Sequence, residues 1–213
     1  MNSTNNDFHE RVSPISPIIL NLLGSYLLLS MILGIVFNTL LLYIFKKYKD
    51  LQTPINTFII AMTVLNLLGT IFELPWIIHS CFSHKWTSGK FGCDLSSTIM
   101  FFIGCTSAYL MAAISFERFY IMYKPLNIRN ISYKLAYIII LFCCLFGLFW
   151  SIMPLFGWSY YTMEDGLVSC AVEFKGSNWN VRSFIISIFI FVYCIPFGII
   201  FITSIALFLN VSI

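Results

Sequence analysis

Five long apolar runs, at 18–45, 55–80, 95–116, 135–157 and 183–209, constrain this chain more than anything else in it. Each can cross the ~30 Å hydrocarbon layer of a bilayer, which takes about 20 helical residues. In hydrocarbon every backbone N–H and C=O must pair within the protein, so a spanning segment is a helix or part of a closed barrel. The runs far exceed a barrel strand and show no alternation, so they read as helices. Composition agrees: 59% of residues are hydrophobic, only 10% are charged and mean hydropathy is +0.89. A soluble domain of 213 residues needs far more polar surface. The links from Lys46 to Pro54 and from Cys81 to Gly92 are short, which makes neighbouring helices antiparallel. The expected fold is therefore all-α, a membrane helix bundle in one domain at 18–213 behind a polar tail at 1–17. The longest connection runs from Trp158 to Arg182, with no internal repeat or low-complexity tract.

Basic residues set the orientation. Lys46, Lys47 and Lys49 follow the first run, and Arg118, Lys124, Arg129 and Lys134 surround the end of the third. On the other side Asp94, Glu164, Asp165 and Glu173 mix with Lys85, Lys90, Lys175 and Arg182. The positive-inside bias places the N-terminus on the outer side of a multi-pass membrane protein. The tail holds one basic residue, Arg11, and no small-residue cleavage site, and the apolar run behind it is too long for a signal peptide. Asn2-Ser3-Thr4 is then a glycosylation acceptor on the outer side. The matches at Asn130 and Asn210 fall on the inner side and read as accidental.

Glu73 is the formally charged residue expected deepest in an apolar run. A carboxylate at bilayer depth costs about 2.5–3.5 kcal/mol on insertion scales, so it needs a partner or a task. One reading is a protonated or water-bridged carboxyl near a helix mouth; the other is a group that balances a positive charge in a ligand pocket. Cys105, Cys143, Cys144 and Cys194 lie inside runs, where cysteine serves as a small apolar filler. Cys93 and Cys170 both face the oxidising side, which predicts a disulfide pinning the long loop over the bundle mouth. Cys81 is left over, and His9, His79 and His84 are scattered without metal-ligand spacing. No nucleophile–base pair lies in the runs, so an enzyme is not expected. Glu117-Arg118-Phe119 closes the third run, and Arg118 follows Cys93 by a helical rise of about 38 Å, one membrane face to the other. An adjacent acid and base at that depth is expected to hold the guanidinium as an ion pair.

Together these residues resemble the rhodopsin-like G-protein-coupled receptors along the whole chain. Gly34-Ile35-Val36-Phe37-Asn38 looks like the G-x-x-x-N of their first helix, and Leu51-Gln52-Thr53-Pro54 with Asn56 is similar to the L-R-T-P-x-N that starts their second. Cys93 and Glu117-Arg118-Phe119 match the third-helix cysteine and the D/E-R-Y motif at the family's spacing. Pro125 fits the following inner loop and Pro196 the proline of the fifth helix. Within that family the long loop resembles an opsin's: Pro154-Leu155-Phe156-Gly157-Trp158, Tyr161, Glu164, Ser169-Cys170 and the pair Glu173-Phe174.

The resemblance implies retinal as cofactor, with Phe101, Gly104, Phe189 and Tyr193 as candidate pocket residues. It makes Glu117, Arg118 and Phe119 the G-protein coupling switch. Opsins often carry Glu or Tyr three residues after the helix-three cysteine, where this chain has Ser96. A buried protonated Schiff base needs a counter-ion or it loses its proton. Glu164, by resemblance, and Glu73, by burial, are both candidates. Asn66, Cys144 and Ser204 replace the family's aspartate of helix two, tryptophan of helix four and tyrosine of helix five, which points to a divergent, non-visual type. Opsins bond retinal through a lysine of helix seven, and every lysine here falls in a loop or at an interface. The chain reads as truncated after the fifth helix, so that as written it neither holds retinal covalently nor signals. Implied partners are a heterotrimeric G protein, retinal, membrane lipid and, as a homodimer, a second copy; nucleic acid is not among them. A receptor for a diffusible lipid or peptide is the alternative within the family, and a transporter or channel the alternative outside it.

Overall fold

In a computed structural model of the chain, residues 12–123 and 132–211 are described. Asn2, His9, Arg11, Lys124, Pro125, Arg129 and Asn130 lie outside them, as does the side chain of Asn210. Five helical spans run Pro17–Lys47, Asn56–Ser83, Gly89–Tyr123, Tyr133–Phe156 and Trp179–Leu209. These are the five expected runs, with most of their ends extended by a few residues. Hydrophobicity marks only the part of a helix that sits in hydrocarbon, whereas polar caps fix where the helix stops. The fourth span starts where Ser132 Oγ accepts from Leu135 N at 3.3 Å, and the fifth where Asn178 Oδ1 accepts from Val181 N at 3.0 Å. The third begins six residues before its apolar run because Lys90 and Asp94, one turn apart, pair on its polar first turns.

The second span is broken. Its two helices, Asn56–Phe72 and Leu74–Ser83, meet at Glu73, two residues before Pro75, whose ring and missing N–H interrupt the ladder. The fifth span carries a π-helical turn at Phe189–Cys194, just ahead of Pro196. That turn leaves the Phe191 carbonyl to accept from the Tyr109 hydroxyl at 3.2 Å, and Tyr109 accepts in turn from Trp150 Nε1 at 3.0 Å. The third, fourth and fifth spans are thereby tied at mid-depth, and Ser115 and Thr203 join hydroxyls at 2.7 Å further along.

Packing centres on the third span. One core cluster joins Cys105 to Trp150, Phe184, Ile188 and Val192 of the fourth and fifth spans, and to Tyr161 and Val172 of the long loop. A second joins Phe58 and Leu65 to Leu110, Ala136 and Cys143. The third and fourth spans touch where Gly147 meets Thr106; a Cβ at position 147 would run into the Thr106 hydroxyl. The first span is peripheral, with Leu20, Gly24 and Phe45 as its buried residues. Many large apolar side chains point outward, among them Phe37, Phe116, Phe142 and Phe201. A water-soluble protein could not keep such a surface, and the solvent for it is lipid. The chain is a multi-pass membrane protein.

The loop from Trp158 to Arg182, expected from the sequence to be pinned over the bundle mouth, holds a two-stranded antiparallel hairpin. Strand β1, Tyr161–Met163, pairs with β2, Cys170–Val172, in the register Tyr161↔Val172, Thr162↔Ala171, Met163↔Cys170. Its turn is closed by Glu164 N to Ser169 O at 3.0 Å, with Leu167 in the left-handed region at φ 54°.

Candidate functional site

The hairpin is fastened onto the end of the bundle where the third span begins. Cys93 and Cys170 form the disulfide, with Cα atoms 5.4 Å apart and both residues buried. Trp86 is fully buried against this bridge, with Trp76 and Met163 packed around it. Lys90, paired with Asp94, also donates to Tyr161 O at 2.9 Å. The Tyr161 hydroxyl donates to Ser151 O at 2.7 Å, and burial pushes that phenol's pKa above the usual tyrosine range. On the far side Trp158 Nε1 donates to Ser183 Oγ at 3.1 Å and Asn180 Nδ2 to Gly157 O at 2.7 Å. Four elements thus hold the hairpin as a lid. Of its clamps the cysteines were legible in sequence and Tyr161 was marked as part of the opsin-like loop, while Lys90 and Asp94 were read only as outer-side charges; their i,i+4 spacing was the available signal of the pair.

Beneath the lid the floor is aromatic. Trp158 meets Phe184 edge-on with ring centroids 5.3 Å apart, Trp150 lies 6.2 Å from Phe184, and Phe101 lies 6.3 Å from it. The four residues expected to line a pocket do not close one among themselves. Phe101 packs into this core, whereas Phe189 and Tyr193 are 61% and 49% exposed, one turn apart on the fifth span. Gly104 is exposed, and a Cβ built on it meets nothing within 4 Å. Ser96, at the position where opsins often hold Glu or Tyr, is buried and donates to Cys93 O at 3.4 Å.

The two carboxylates considered for charge balance sit differently from each other. Glu164 is exposed at the hairpin turn, where it accepts from Ser169 Oγ. Glu73 is not sunk in an unbroken helix as expected. It is half-buried at the break in the second span, and its side chain has no hydrogen bond or ion pair among the described residues. Pro75 explains the difference, because the break it causes brings the residue to a bend. His84 lies 3.0 Å from Asn21 and His79 3.0 Å from Thr87, both near the same end.

At the opposite end the deeply buried acid is Glu117, only 8% exposed, and neither carboxylate oxygen has a hydrogen-bond partner among the described residues. Arg118 is exposed, and the expected Glu117–Arg118 ion pair does not form; the described ion pairs are Lys90–Asp94 and Lys175–Asp165. Consecutive helical residues point about 100° apart, so neighbours in sequence diverge in space. Phe119 stacks on Tyr123 with centroids 5.8 Å apart.

A lid stapled to the third of five antiparallel spans, with Arg118 at the other end of that span, is the architecture of a seven-transmembrane receptor. Comparison bears this out: the family model "7 transmembrane receptor (rhodopsin family)" matches residues 37–212. The chain belongs to that family. Its similarity is to opsins. Opsin Rh2 of Drosophila melanogaster is 30% identical over 191 residues, 90% of this chain and 50% of that protein. The rhodopsin of Loligo forbesii is 31% identical over 192 residues, 89% of this chain and 42% of that protein. The crystal structure of squid rhodopsin matches with a TM-score of 0.87 at 29% identity, covering 100% of this chain and 60% of that one. The chain spans about half the length of the opsins it matches.

Proposed function

We propose that this chain supplies the lid-bearing half of an opsin-like photoreceptor that binds retinal and activates a heterotrimeric G protein on illumination. The observation that carries the reading is the hairpin, pinned by Cys93–Cys170 over an aromatic floor in a chain that matches squid rhodopsin along its full length. The residues fit an apolar polyene in one respect: the open space at Gly104, beside Phe101, is room that a side chain would fill. Bound retinal would supply a light-driven isomerisation. Phe101, Gly104, Phe189 and Tyr193 would bound its polyene, and the lid would keep water out. The described lysines lie at helix ends or in loops, so no attachment step is assigned to them.

Glu73 or Glu164 would balance a cation beneath the lid. Arg118, exposed at the other end, would meet the G protein, with that end in the cytoplasm, the N-terminus extracellular and the protein in the plasma membrane. Membrane lipid covers the outward apolar faces, a second copy can form a homodimer, and Asn2 would carry glycan.

The test is spectroscopy of the full-length gene product supplied with retinal. A retinal-dependent band is expected, and its absence would rule out the pigment. Glu73→Gln or Glu164→Gln should move a visible band into the ultraviolet. If neither does, both counter-ion assignments fail.

A further inference from the structure

Glu117 is the most deeply buried acid among the described residues, and it faces a cavity. The cavity, about 220 Å³, lies between the second, third and fourth spans and is lined by Phe58, Phe116, Tyr120, Leu135 and Ile139 around the carboxylate. Neither carboxylate oxygen has a hydrogen-bond partner among the described residues. Neither Arg118 on the same span nor Lys134 at the start of the fourth pairs with them. The rim residues Phe116 and Leu135 are exposed on the apolar surface, so access is from the side of the bundle that lipid covers.

We propose that this cavity binds a membrane-partitioned lipophilic amine, its alkyl chain against Phe58, Phe116, Leu135 and Ile139 and its ammonium on Glu117. An apolar pocket with one unpaired acid asks for a ligand with an apolar body and a single cationic donor. A neutral hydroxyl could donate one hydrogen bond but could not balance the charge, and a charge-assisted bond is roughly twice as strong. The charge of Arg118 reaches Glu117 without forming an ion pair, so the buried carboxylate is only partly balanced, and a bound ammonium in direct contact offsets more of the cost of burying it. The site is at the opposite end of the bundle from the lid and does not depend on the photoreceptor reading.

The full-length protein in lipid nanodiscs is exposed to a diazirine-bearing dodecylamine, irradiated, and mapped by peptide mass spectrometry. Crosslinks are expected around Tyr120 in the third span and Ile139 in the fourth, competed by dodecylamine and not by dodecanol. Glu117→Gln should lower this labelling about tenfold or more, the loss expected of a charge-assisted contact. Leu135→Trp, at an exposed rim position, should block it independently. Undiminished labelling of both variants, equal competition by dodecanol, or crosslinks spread evenly along the spans would each overturn the proposal.

Discussion

Gly147 and Gly104 make a matched pair of residue-scale tests. A methyl group at Gly147 meets the Thr106 hydroxyl at the closest approach of the third and fourth spans, while one at Gly104 meets nothing. Gly147→Ala should therefore destabilise the bundle by about 1–3 kcal/mol, the usual range for overpacking. Gly104→Ala should not destabilise the bundle and should gain about 0.5–1 kcal/mol, the usual advantage of alanine over glycine inside a helix, yet shift the absorbance of the retinal-loaded full-length product. Scanning fluorimetry and absorption spectra check the two halves separately. Tyr161 gives a pH test. Burial raises its phenol pKa in the fold, so the neutral form is the one the fold favours. Below about pH 10 both states are protonated and nothing is lost; above it the unfolded chain ionises first, and stability falls as pH rises. Tyr161→Phe should flatten that alkaline decline while costing about 1–3 kcal/mol at neutral pH, because it leaves the buried Ser151 carbonyl without its donor. At this scale the sequence was a partial guide. It marked Glu73 by its apolar neighbours along the chain, but burial depends on neighbours across the bundle, and those bury Glu117 instead.

At the scale of elements, the hairpin lid is the part most dependent on one bond. Removing Cys93 or Cys170 should free strands β1 and β2, with a loss of about 2–5 kcal/mol typical of a native disulfide. Hydrogen exchange should show the amides of 161–172 losing protection, with the double Cys93→Ser, Cys170→Ser variant no worse than either single one. Additive losses would show that each cysteine acts separately. The tie between spans is the second such device. Tyr109→Phe removes a hydroxyl that donates to Phe191 O and accepts from Trp150 Nε1, leaving the carbonyl at the π-helical turn and the indole N–H both unpaired. A cost of about 1–3 kcal/mol is expected, because an orphaned buried group costs more than the net value of its bond. A midpoint unchanged by this substitution would show that the turn holds without the third span. The spans themselves were readable to within a few residues at their ends, since length in hydrocarbon and helical rise leave little choice. The hairpin strands are three residues each, too short for alternation to register, and their pairing is fixed by the disulfide and by Tyr161 against the core.

Across the whole molecule, the apolar exterior and the buried polar ties belong to a body built for lipid on its flanks and for contacts at its two ends. Its membership in the rhodopsin family follows from motifs spread over residues 37–212 and from a backbone that matches squid rhodopsin at a TM-score of 0.87. The sequence by itself determined the number of spans, their alternating direction and the cysteines of the lid. The spans and their direction follow from the cost of unpaired backbone and charge in hydrocarbon, which any segment pays alone, and the cysteines from their shared place on one side of the membrane. Only the tertiary structure decided that Glu73 sits at a bend, that Glu117 and Arg118 part company, and that a cavity opens beside the unpaired acid. Each of these turns on which side chains meet across different helices. A single helix's own periodicity says which residues share a face, and the packing of its neighbours says what that face meets.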